Sequence, residues 1–235
     1  LDSVNDPATA LKGGLFFLKM GDLDEAFPWF EKSQKVEPDL SVRIARLYAN
    51  QGLYDRAEAL LRKAMGDFAD SAKLAETLAG VFFENERYED VCEVLEGVID
   101  SDDIRSDSEL YADALYYYGV SLIETGRIAP GVGYVADAMG KDPLDTRYRI
   151  GGLYALARSE QWGRFLEAAE GIVNQEGITV DFEIGDFADI GRLVFMILRH
   201  LSKGGKRDEP EICRKILKHL IHTRIVRKEE IGRME

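Results

Sequence analysis

Histidine, cysteine and proline are scarce in this 235-residue chain, which holds three, two and six of them. With so few histidines and thiols, the composition offers little for a metal centre or a nucleophilic dyad. Cys92 and Cys213 lie far apart, each within a helical pattern. They read as buried free thiols, with a disulfide as the alternative. Long apolar runs are missing too. Leu15-Phe16-Phe17-Leu18 is too short for a signal peptide, and Leu193 to Leu198, between Arg192 and Arg199, is far below the ~20 residues of a membrane helix. The expectation is a cytoplasmic protein without membrane insertion, although a start at Leu1 also suits a fragment or a processed form.

Basic residues are in deficit, with 30 Lys+Arg against 43 Asp+Glu and a net charge of −13. A surplus of carboxylates repels nucleic acid and anionic membrane, so neither is expected as a partner, whereas a cationic or mixed protein partner is easier to accommodate, and an acidic or mixed peptide only where cations gather locally. Hydrophobic residues make up 46 % of the chain, which takes it out of the disordered class. Recognisable chemistry is also missing. No Gly-rich phosphate loop, Gly-x-Ser-x-Gly elbow or His-Glu-x-x-His pair occurs. Cys213, His219 and His222 could be drawn as a metal site, but two histidines at i, i+3 read better as polar-face residues. The acidic stretch Asp100, Asp102, Asp103, Asp107 and Glu109 lacks the central glycine and spacing of a calcium loop, and reads as a solvated loop with Ser106 or Ser108 capping the next helix. The expectation is a non-enzyme with no catalytic residues, metal or cofactor.

What is present is helical periodicity. Apolar residues recur at three-and-four spacing almost throughout, which predicts an all-α protein. Pro7, Pro38, Pro143 and Pro210 stand at expected helix ends, and Pro28 and Pro130 need a first turn or a kink. One pattern then returns: a small residue, a large apolar one, a glycine turn, an aromatic or aliphatic residue, a small residue, a large apolar one. It reads Gly14, Phe17, Gly21, Leu23, Ala26, Phe30, and then Ala45, Tyr48, Gly52, Tyr54, Ala57, Leu61. The third copy is Ala79, Phe82, Glu86, Tyr88, Val91, Leu95, and the fourth is Gly119, Leu122, Gly126, Ile128, Gly131, Val135. A degraded fifth is Leu153, Leu156, Glu160, Trp162, Phe165, Ala169. From Ala26 through Ala57, Val91 and Gly131 to Phe165 the steps are 31, 34, 40 and 34 residues.

These residues, above all Gly21-Asp22-Leu23-Asp24-Glu25-Ala26 and Gly52-Leu53-Tyr54-Asp55-Arg56-Ala57, resemble the tetratricopeptide repeat (TPR) family, whose unit is 34 residues. The resemblance covers about residues 7–177. It implies an α-solenoid, a right-handed superhelix of about five helical hairpins at 7–37, 38–71, 72–111, 112–145 and 146–179. Residues 180–235 would cap or extend it with two helices, near 187–203 and 211–228. The last of these is basic: residues 206–235 carry 9 Lys+Arg and 6 Asp+Glu, leaving residues 1–205 at −16. It is expected to cap the array, with docking on a partner as the alternative.

For function, the resemblance implies a scaffold or adaptor that binds a peptide on the side lined by first helices; the alternative is a regulatory or assembly module of a larger or self-associating complex. The expected groove residues are Arg46, Asn50, Lys73 and Phe83, then Tyr116, Tyr117 and Val120, then Arg147, Tyr154 and Arg158, with Glu76 beside Lys73. Tyr and Arg are frequent binding anchors. The subclass that grips a C-terminal carboxylate is disfavoured, since its places hold Leu11, Leu15, Arg43, Lys73 and Thr77. Four cations still predict a groove more basic than the protein as a whole. Exposed Leu11, Leu15 and Leu18 would favour self-association.

Overall fold

The computed structural model describes residues 7–32, 37–69 and 71–173. The expected C-terminal helices, with His200, Cys213, His219 and His222, lie outside the described residues. Eleven α-helices and no strand occur among those described: α1 (Pro7–Met20), α2 (Leu23–Lys32), α3 (Pro38–Asn50), α4 (Tyr54–Asp67), α5 (Ala72–Glu84), α6 (Tyr88–Glu96), α7 (Asp102–Ser106), α8 (Ser108–Glu124), α9 (Ile128–Lys141), α10 (Thr146–Arg158) and α11 (Trp162–Val173). Pro7 and Pro38 open helices, where a missing N–H costs nothing. Pro130 falls in the first turn of α9, while Pro28 lies inside α2 and removes one backbone bond there.

Five helix pairs share one turn. At each, a backbone N–H reaches back five residues: Asp22 to Phe17, Leu53 to Tyr48, Arg87 to Phe82, Arg127 to Leu122 and Gln161 to Leu156, at 2.7–3.0 Å. This closure requires a left-handed residue just before the donor. Gly21, Gly52 and Gly126 supply it with φ of 78°, 72° and 88°. In the third and fifth pairs the residue is Glu86 or Glu160, each at φ 57°, so the turn persists where glycine is lost, at a cost of about 1–2 kcal/mol each.

The chain forms two compact units that divide between Tyr117 and Tyr118, within α8. In the first, α1 packs on α2, α3 on α4 and α5 on α6; the first pair meets the second through α2 and α4, and the second meets the third through α3, α4 and α5. Close approach explains the small residues. A side chain at Gly14 would run into the Phe30 ring and one at Gly13 into Trp29, while Ala26, Ala45, Ala57 and Ala79 are fully buried. Phe30, Tyr48, Leu61, Leu78, Phe82 and Leu95 fill the space so created. The acidic stretch forms α7, with Ile104 buried beneath it and Asp103 accepting a bond from the Ala72 amide at 3.4 Å. The cap of α8 differs from expectation. Asp107 accepts from the Glu109 and Leu110 amides at 3.1 Å, whereas Ser106 donates to the Asp103 carbonyl. A carboxylate is the stronger acceptor at a helix start. In the second unit α9 packs on α10 and α10 on α11, around Val135, Tyr148, Leu153 and Phe165.

Candidate functional site

In the first unit, α3 and α5 present a common polar face built by the three-and-four spacing that also buries Ala45 and Ala79 on the opposite side. Asp39, Arg43, Arg46, Leu47 and Asn50 are exposed on α3, and Lys73 and Glu84 on α5. Two ion pairs join these helices. Lys73 Nζ lies 2.6 Å from Asp39 Oδ1, and Arg46 Nη2 lies 3.7 Å from Glu76 Oε2. The Lys73 hydrogen bond and charge hold the Asp39 carboxyl below its ordinary range. Glu76 is buried, and the Thr77 hydroxyl also donates to it at 3.2 Å. Of the expected groove cations here, Lys73 is thus closely matched by a carboxylate one repeat away, and Arg46 loosely so. To a groove expected to be more basic than the protein as a whole, the structure adds that each of these two cations faces a carboxylate.

Beyond Gly80, one helical turn past Glu76, Phe83 and Tyr117 are half-buried, with ring centroids 5.1 Å apart and planes tilted by 42°. Tyr116 stands 5.7 Å from the same Phe83 ring and Tyr88 stands 5.8 Å from it. This aromatic wall and the Arg46–Glu76 pair make up the built part of the face, a hydrophobic edge beside a charged floor.

Three expected groove residues have no surface to offer. Tyr116 and Tyr154 are each 3 % exposed and Val120 is 1 % exposed. Tyr116 packs on Phe83 and Tyr117, and the Tyr154 hydroxyl donates to the Glu124 carboxylate. They are corrected to packing residues. In the second unit Arg147 is spent on the α10 cap, with Nη2 2.9 Å from Asp145 Oδ2, while Arg158 Nη2 donates to the Ile123 carbonyl at 3.4 Å. Sequence reading overlooked Asp39, for which an acidic residue 34 positions before Lys73 was the available signal. Among the described residues no cluster of three or more His, Cys, Asp or Glu could hold a metal ion, and no described helix is long and apolar enough to cross a membrane.

Repeated hairpins with one shared turn and small-residue crossings define a helical-repeat protein. Residues 11–40 and 38–66 match the model of the tetratricopeptide repeat family, so the first two hairpins are TPR repeats. Solved structures with the same fold include PilF of Pseudomonas aeruginosa (TM-score 0.60, 13 % identity, covering 93 % of this chain and 91 % of that one). MamA of Desulfovibrio magneticus RS-1 follows (0.58, 17 %, 73 % and 97 %). So does YrrB, described as a TPR protein with an unusual peptide-binding site (0.56, 15 %, 73 % and 87 %). At such identities the likeness is one of fold. No curated protein gives a significant match.

Proposed function

We propose that the protein is a non-enzymatic interaction scaffold that holds an extended segment of a protein partner on the α3–α5 face of the first unit. The observation that carries this reading is the pairing of an exposed guanidinium, Arg46, with a half-buried aromatic wall, Phe83 and Tyr117, on one face. Asn50 and Lys73 flank them as exposed polar groups able to bond a peptide backbone. YrrB supports the reading as a similarly folded protein with a peptide site. Because Lys73 and Arg46 already face carboxylates, the segment bound is one of mixed charge.

The test uses peptides selected from a random dodecapeptide phage library on the full-length protein. Arg46→Glu and Phe83→Ala are each expected to weaken binding about tenfold, or about 1.4 kcal/mol, with the helical circular dichroism unchanged. Equal affinity in both variants would remove this face as the site. A second reading, a module of a self-associating complex, is favoured by α1, where Leu15, Phe16 and Met20 are exposed. Light scattering across a dilution series separates the two, since a concentration-independent monomer excludes self-association.

A further inference from the structure

We propose that the solvent face of α1 is a second docking surface, which takes an amphipathic helix of a protein partner with Asp or Glu beside its apolar stripe. It is independent of the α3–α5 face, and either surface can fail without the other.

Helical spacing builds this surface. Lys12, Leu15, Phe16 and Lys19 stand at i, i+3, i+4 and i+7, so they share one stripe of α1, which Met20 extends. All five are exposed, Phe16 by 60 % and Met20 by 70 %. The opposite stripe is taken up by packing, with Ala10 and Gly14 buried, Gly14 against Phe30, and Gly13 making room for the Trp29 ring. Phe16 is held in place despite its exposure. Its ring meets Phe17 edge-on with centroids 5.4 Å apart, and Phe17 meets Trp29 at 6.2 Å, so three rings run from α2 out to the surface. An exposed aromatic fixed in advance loses little freedom on binding.

The repeat indicates what kind of element covers such a place. Two residues past the small residue of each first helix, or past Leu153 in the fifth, stand Phe16, Leu47, Val81, Ser121 and Ala155. Leu47 is 43 % exposed, but Val81, Ser121 and Ala155 are buried, and the elements packed on α5 around Val81 are helices. Charge then decides whose helix it is. Lys12 and Lys19 flank Phe16, α1 contains no acidic residue, and neither lysine is ion-paired among the described residues. Nearby acids are engaged elsewhere: Asp22 Oδ1 accepts from the Glu25 amide at 3.1 Å, and Asp24 meets Arg56. Symmetric pairing with a second copy would set lysine against lysine. Nor does another described helix of a second copy offer an apolar stripe beside acids, since the remaining exposed large apolar residues are Leu47, next to Arg46, and Leu144, between helices. A membrane is poorly matched too, because electrostatic anchoring takes about four to eight cations at about 1 kcal/mol each, and α1 carries only Lys12 and Lys19. Carboxylates flanking an apolar stripe complement both the rings and the lysines.

The probes are helical peptides from a phage library with a fixed leucine stripe and random flanking positions, selected on the full-length protein. The selected sequences should carry Asp or Glu beside the stripe. Phe16→Ala is expected to weaken their binding about tenfold, and Lys12→Glu combined with Lys19→Glu to do the same while abolishing its salt dependence. Arg46→Glu should leave it unchanged, and all variants should keep the helical circular dichroism of wild type. Peptides without acidic flanks, or with equal affinity for the Phe16 and lysine variants, would overturn the proposal. So would a dimer in light scattering that Phe16→Glu disperses, which would make a second copy the occupant. Binding to phosphatidylserine-containing vesicles that Phe16→Glu abolishes would overturn it in favour of a membrane. Peptides that respond to Arg46→Glu and not to the α1 variants would uphold the α3–α5 face and remove α1 as a docking surface.

Discussion

Gly131→Ala is expected to cost about 3 kcal/mol or more and to lower Tm by roughly 10 °C, although alanine is the better helix former. Gly131 of α9 and Gly119 of α8 cross so closely that a Cβ at the first would stand 2.5 Å from the Gly119 carbonyl oxygen and 2.7 Å from the Ile123 side chain. A Cβ at Gly119 would meet the Val135 amide nitrogen at 2.8 Å. The obstructing atoms are largely backbone, which cannot rotate away, so the two helices must part. Gly133 sits on the same helix with nothing within 4 Å, and Gly133→Ala should therefore stabilise by up to about 1 kcal/mol. Thermal melts of the pair give opposite signs. A common sign would mean that the close crossing does not hold the fourth hairpin together.

Tyr48→Ala is the second large effect, at about 3–5 kcal/mol. Its ring is fully buried, meets Phe27 of α2 edge-on at 5.7 Å, and donates from its hydroxyl to the Leu23 carbonyl at 3.4 Å. Arg56, 2.5 Å from Asp24, lies over the same Phe27 ring at 5.4 Å from its centroid, so Tyr48 and its neighbour Arg56 fasten the second hairpin to the first. Denaturation should show the loss directly, and a cost below about 1 kcal/mol would refute the fastening role. The same residue sets a pH dependence. Burial pushes its hydroxyl up to about 12 from 10.0; Arg56 opposes this and Asp24 adds to it. A pKa raised by folding means stability that is complete below the unfolded value and lost as pH rises through the folded one. Between pH 10 and about 12 the protein should lose on the order of 2 kcal/mol, and Tyr48→Phe should abolish that part of the slope.

The parts of this molecule that were legible in the sequence are those written locally. Helical periodicity gave the all-α class, and Gly21, Gly52 and Gly126 marked three turns because a left-handed residue is a local requirement. Glu86 and Glu160 hold the same geometry without glycine, so composition marks such a turn less surely than its place in the repeat. The site was half legible. Spacing placed Arg46, Asn50, Lys73, Phe83 and Tyr117 where they are accessible, but it could not show that Tyr116, Val120 and Tyr154 are covered, because cover comes from neighbouring elements. Charge pairing was hidden for a similar reason. Lys73 bonds Asp39 across 34 residues and Arg46 faces Glu76 across 30, each spanning about one repeat. Equivalent positions of successive hairpins are spatial neighbours, so a search for opposite charges one repeat apart would have found both pairs.

Backbone hydrogen–deuterium exchange of the full-length protein, free and saturated with a selected peptide, bears most directly on where a partner lies. Slowed exchange concentrated in α3 and α5, with α4 and α6 unchanged, is the expected result. Protection confined to α4 and α6, or to segments outside the first unit, would contradict it.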